Sequence, residues 1–186
     1  AFGGAMYWDG IGSEVSLIDS SFHNNTASHG GGLFWSNGSP SITGCSVRGN
    51  IADAHQLEAL HPMLLGYSTL HQYMGDESFY GGGGGLFCWS SEALIKNCYI
   101  GDNSASGSGG GVYFGGDPNA PILSNCLVKG NSAVLDGGGV VSYWNVRPEI
   151  RNCTIVDNTA CDVREATNGR GGGLSCSYDS ETLLIN

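Results

Sequence analysis

The 186-residue chain carries 32 glycines, only 5 prolines, 40% hydrophobic and 13% charged residues, and a formal net charge of −10. That charge opposes nucleic acid, whose affinity rests on Lys and Arg set against phosphate, and anionic membrane surfaces alike. No apolar run approaches the roughly 20 residues of a membrane-spanning helix, and the chain is long enough to bury the core of a single domain over 1–186.

Read from its start, the chain repeats one phrase. "GGGLFWSNGSPSITGCSVRGNIA" begins at Gly30 and returns, altered, from Gly81, Gly109 and Gly137. Each unit opens on a glycine cluster whose third residue is Ala5, Gly32, Gly85, Gly111, Gly139 or Gly173. An aliphatic residue follows at once: Met6, Leu33, Leu86, Val112, Val140 or Leu174. After an irregular stretch comes a second aliphatic column, Leu17, Ile42, Ile95, Leu123, Ile150 and Leu184. Two residues later stands a polar column, Asp19, Gly44, Asn97, Asn125, Asn152 and Asn186. Next are Ser20, Cys45, Cys98, Cys126 and Cys153, then the apolar Phe22, Val47, Ile100, Val128 and Ile155. The unit closes on asparagine (Asn25, Asn50, Asn103, Asn131, Asn158) and, two residues on, alanine.

A uninterrupted period of about 27 residues with short alternating segments indicates a solenoid of strands. The fold expected is all-β: a parallel β-helix of about six coils, three short strands each, right-handed by the crossover rule. Each column then becomes a ladder of like residues. Asparagine fits a bend, since it tolerates left-handed backbone, and its stacked amides can hydrogen-bond from coil to coil. The Cys45, Cys98, Cys126 and Cys153 ladder is expected to consist of free thiols, because parallel side chains suit the disulfide dihedral poorly. Both ends fall within a coil, so flanking coils of the same chain are expected at each.

Two insertions leave the same coil corner, over about 53–82 and 161–170. The longer opens with a helical pattern, "ADAHQLEALH", limited by Pro62. Insertions in solenoids collect on one face, often the binding face. In the long insertion His55, His61, His71, Tyr67 and Tyr73 are candidate contact residues, either as a lid or as a recognition surface. The histidines lack the spacing of a metal set, so no metal and no cofactor is expected. In the short insertion Asp162, Arg164 and Glu165, with Arg170, form the strongest cluster of charged candidates. A further column, two after the anchor, reads Tyr7, Phe34, Phe87 and Tyr113. Alternation turns it away from the interior, where it forms a stripe for sugar rings or another subunit, or is covered by the chain itself.

The segments "FGGAM" at Phe2–Met6 and "FHNN" at Phe22–Asn25 resemble the paired motifs of polymorphic outer-membrane protein repeats, GGA plus an aliphatic residue and FxxN. The resemblance extends coil by coil, with GGG for GGA and Val or Ile for Phe in later coils. It implies a pectin-lyase-like β-helix in a bacterial surface protein. The leading functional expectation is therefore a non-catalytic structural or adhesive segment of a large extracellular or cell-surface protein, contacting other protein chains or surface glycans. A carbohydrate-active enzyme, a polysaccharide lyase or glycosidase, and an accessory subunit held inside a larger complex are the alternatives.

Overall fold

The computed structural model describes residues 2–10, 14–54, 81–116, 119–161 and 169–186. Its strands stack into four parallel sheets of six, six, five and five members. The first sheet holds β1 (Met6–Asp9), β5 (Leu33–Ser36), β9 (Leu86–Trp89), β13 (Val112–Gly115), β17 (Val140–Tyr143) and β21 (Leu174–Cys176). The second holds β2 (Ser16–Ile18), β6 (Ser41–Thr43), β10 (Leu94–Lys96), β14 (Ile122–Ser124), β18 (Glu149–Arg151) and β22 (Leu183–Ile185). Every pairing keeps the columns in register: Leu33 on Leu86, Ile42 on Ile95, Val47 on Ile100, Ala52 on Ala105. Coils rising about 4.8 Å each make a rod about 30 Å long.

Each of the first five coils has four strands rather than the expected three. Beyond the third strand, such as β11 (Tyr99–Gly101) or β15 (Leu127–Lys129), the alanine column pairs as a separate two-residue strand, such as β12 (Ser104–Ala105) or β16 (Ser132–Ala133). A left-handed residue divides them: Asn24, Gly49, Asp102, Gly130 or Asp157, with φ of 56°, 62°, 54°, 67° and 56°. The bend thus belongs to the residue before the recurrent asparagine, not to that asparagine. Where the sequence places a polar column, Asp19, Gly44, Asn97, Asn125 and Asn152 make the other left-handed bend, φ 47–65°.

The recurrent asparagines do something else. From Asn50 onward each side-chain Oδ1 accepts the backbone N–H and the Nδ2–H of the asparagine one coil back. Asn50 Nδ2 donates to Asn103 Oδ1 at 3.0 Å, Asn103 Nδ2 to Asn131 Oδ1 at 2.9 Å, and Asn131 Nδ2 to Asn158 Oδ1 at 2.9 Å. The second Nδ2 hydrogen reaches the carbonyl of the apolar column one coil back, as in Asn103 to Val47 at 3.0 Å. Asn50, Asn103 and Asn131 are buried, and every polar atom of these side chains is used, as burial requires.

The thiol ladder stacks likewise. The N–H of Cys98 donates to Cys126 Sγ at 3.4 Å, and that of Cys126 to Cys153 Sγ at 3.5 Å. Each thiol in turn donates to the carbonyl two residues before it, at 3.2 Å for Cys98, Cys126 and Cys153. All the cysteines are free. Burial pushes Cys88 up to about 12 and raises Cys45, while contact with Cys153 and Cys98, then burial, pushes Cys126 up. These thiols act as small apolar groups.

Glycine at the corner is a matter of space. A Cβ on Gly84 would lie 2.3 Å from the Gly110 carbonyl oxygen and 2.5 Å from that of Ser104. Inside the coils Leu33, Trp35, Ile42, Val47, Leu86, Ile95, Phe114 and their column mates form the main core. A smaller alanine cluster, Ala52, Ala105 and Ala133, fills the narrow side.

Two measurements check this account. Asn103→Ala removes four hydrogen bonds and strands buried partners, so urea unfolding should show a loss of about 3–5 kcal/mol, against about 0.5 kcal/mol for Thr154→Ala on the exposed face. With a thiol reagent under native conditions, the exposed Cys161 and Cys176 should react within minutes, and Cys45, Cys88, Cys98 and Cys126 only on unfolding.

Candidate functional site

Strand alternation sends Tyr7, Phe34, Phe87 and Tyr113 to the outer side of the first sheet, where they stack as a file. Ring centroids stand 5.2, 5.0 and 4.5 Å apart, with planes tilted by only 17°, 3° and 14°. The file is not an open stripe. Tyr7 is 49% exposed, but Phe34 retains 5% and Phe87 and Tyr113 none. The chain returning from the long insertion lies on them: a Cβ at Gly82 would meet Tyr113 Cδ2 at 2.9 Å and Phe87 Cε2 at 3.3 Å. His29 covers Phe87 edge-on, centroids 5.8 Å apart. With Val141 and Tyr143 these rings form a second, lateral core outside the coils.

A column unremarked in the sequence precedes the glycine clusters: Phe2, His29, Gly82, Ser108, Asp136 and Arg170. Backbone bonds join it from coil to coil, for example Gly83 N–H to Ser108 O at 3.0 Å and Gly109 N–H to Asp136 O at 2.8 Å. Asp136 accepts the Tyr143 hydroxyl and, at 2.9 Å, the Arg170 N–H. His29, part of the "SHGGG" corner, is buried and 3.2 Å from Ser28 Oγ through Nδ1. Burial pushes its pKa down to about 4, so the imidazole is neutral at pH 7.

His55, His61, His71, Tyr67 and Tyr73 of the long insertion lie outside the described residues, as do Asp162, Arg164 and Glu165 of the short one. The helical pattern of the long insertion falls there as well. Their points of departure are described: Ala52 and Ala160 occupy one file of the fourth sheet, so both insertions leave the same corner. Among the described residues no three of His, Cys, Asp and Glu converge on a point that suits a metal.

The feature that sequence reading passed over lies where the first strand turns into the second. Five residues after the anchor the backbone is left-handed in coil after coil: Asn37, Ser90, Gly116, Trp144 and Tyr178, with φ of 62°, 46°, 100°, 65° and 55°. Asparagine, serine and glycine are ordinary there, whereas a bulky ring is an outlier. Trp144 and Tyr178 stack face to face, centroids 4.8 Å apart and planes 7° from parallel. The same two turns, 144–148 and 177–182, border a groove of about 480 Å³ lined by Ala120, Ile122, Arg147, Glu149, Glu181, Thr182 and Leu183. Arg147 pairs with Glu181 at 3.5 Å, and Arg151 with Glu149. The shared offset of the two aromatics was the available signal, but it is visible only once the turn's handedness is known.

A family model described as a right handed beta helix region matches residues 68–186. The chain belongs to that family. The four parallel sheets with their coil-to-coil register are this family's right-handed β-helix. No curated protein and no solved structure matches the chain.

His29 makes the lateral core sensitive to acid. Its folded pKa, about 4, lies below the unfolded value of 6.5. Below pH 6.5 the unfolded chain takes up a proton that the folded chain refuses. Stability is therefore full above pH 6.5 and falls toward pH 4, by roughly 1.4 kcal/mol per pH unit. NMR titration should place the His29 midpoint near 4, and in His29→Phe that part of the acid loss should vanish.

Proposed function

We propose that this chain is a non-catalytic structural and adhesive β-helix segment of a large extracellular or cell-surface protein, a stiff spacer that carries its contacts laterally. The observation behind this reading is the unbroken register of its sheets: the same side chains stack through every described coil, so backbone ladders run the length of the rod. Such a rod resists bending and presents its corners at fixed intervals. Both insertions emerge at one of those corners, where a partner chain or a surface glycan meets them. The likeness of "FGGAM" and "FHNN" to polymorphic outer-membrane protein repeats supports a bacterial surface setting.

Antibody raised against the chain should label intact, unpermeabilised cells of the source organism or their secreted matrix. Labelling that demands permeabilisation would overturn the surface reading. Incubated with a panel of plant and microbial polysaccharides, the protein should release no new reducing or unsaturated ends.

A further inference from the structure

We infer that the inward thiol file is a site for a soft, two-coordinate cation of the copper(I) class, held in line between Cys98 Sγ and Cys126 Sγ. The inference stands apart from the spacer reading, and either can fail without the other.

The geometry comes from repetition. Every sulfur in the file has the same two carbonyl neighbours. One belongs to the residue two before it: Thr43 for Cys45 at 3.4 Å, and Lys96, Ser124 and Arg151 for the other three at 3.2 Å. The second belongs to the aliphatic column one coil back: Leu17, Ile42, Ile95 and Leu123, at 3.6, 3.5, 3.7 and 3.4 Å. Equivalent contacts mean one side-chain conformation repeated, so successive sulfurs are displaced by the coil rise of about 4.8 Å. A metal–thiolate bond is about 2.3 Å long, so two in line span about 4.6 Å. The rise of the coils therefore sets neighbouring thiols at the separation of a linear sulfur–metal–sulfur unit, with no backbone movement needed. A disulfide needs sulfurs about 2 Å apart, and all four thiols are free. Tetrahedral zinc needs ligands arranged around a point, which a straight file does not offer. Thiolate softness selects copper(I) instead.

The sulfurs also carry donors. The Cys98 N–H donates to Cys126 Sγ at 3.4 Å, and the Cys126 N–H to Cys153 Sγ at 3.5 Å. Hydrogen bonds of this kind stabilise the thiolate that a metal requires. Contact with Cys126 pulls Cys98 and Cys153 down to about 7, so each sulfur's proton is coupled to its neighbour. Cys126 is the buried sulfur with an N–H upon it, and Cys98 is its buried neighbour, with described coils on both sides of the pair. Loading breaks two S–H bonds, releases both protons to solvent and forms two sulfur–metal bonds. The unit is left with one net negative charge, which disfavours filling the next gap in the file. Access is short: the file lies one residue beneath the exposed bend of Asn97 and Asn125. A bare ion passes there where an organic thiol reagent does not.

The test uses the whole chain with Cys161→Ser and Cys176→Ser, which removes the exposed thiols. Titrated without oxygen with copper(I) against the chelator bicinchoninate at pH 7, it should take up one equivalent and release two protons per ion. Zinc(II) should bind roughly a hundredfold more weakly or not at all. X-ray absorption should show two sulfur neighbours, with the strand signal in circular dichroism unchanged. Cys126→Ala should weaken copper(I) binding by roughly a hundredfold, whereas Cys88→Ala, in another file, should leave it unchanged. Cys98→Ser keeps the side chain's size and should show the same loss, so the proposal stays testable if Cys126→Ala does not fold. Absence of copper(I) binding, or binding unaltered in Cys126→Ala and Cys98→Ser, would overturn it. So would three or more ligands by X-ray absorption, equal affinity for zinc(II), or loss of the strand signal on loading, which would mark capture by unfolded chain.

Discussion

A buried amide must satisfy four hydrogen-bonding positions or destabilise the fold that contains it. Here each stacked asparagine does so only if the next coil presents the same residue at the same height. Asn103, for example, accepts twice from Asn50 and donates once to Asn131 and once to Val47. The requirement is mutual and repeats along the axis, so one coil out of step would strand several polar groups at once. This is a stronger determinant of register than apolar packing, because Leu, Ile and Val columns tolerate small shifts and an amide ladder does not.

From that register the rest follows. Once coils are stacked in phase, the first strand must turn alternate side chains outward, and in the first four coils these are the rings of Tyr7, Phe34, Phe87 and Tyr113. Phe34, Phe87 and Tyr113 would be a long apolar face in water; instead His29 and the backbone near Gly82 close over them. The molecule therefore has an axial core and a lateral one, separated by a single sheet.

Most of the architecture was legible in the sequence because each column stays chemically constant, and constancy at a fixed offset is what stacking produces. The thiol file and the amide file were readable for this reason. The division of each coil into four strands was not, since Asn24, Gly49, Asp102, Gly130 and Asp157 differ in chemistry and share only a backbone angle. The same blindness hid the Trp144–Tyr178 pair: side-chain type varies across that column while handedness is held. The outward direction of Tyr7, Phe34, Phe87 and Tyr113 followed from alternation, but what covers them depends on chain far away in sequence. Histidine at position 29 reads as one more corner residue until its burial is seen.

The ladder partners stand 25, 53, 28 and 27 residues apart along the chain, yet their hydrogen bonds are within 0.1 Å of one another, at 2.9 or 3.0 Å. Contour length is thus decoupled from rise. Extra residues after the alanine file leave the stacking on either side unchanged, and the entropy of closing a longer loop grows only as its logarithm. A rod assembled this way can gain or exchange an entire appendage at that one corner while neighbouring turns keep their spacing, which makes the corner the natural locus of variation between otherwise similar rods.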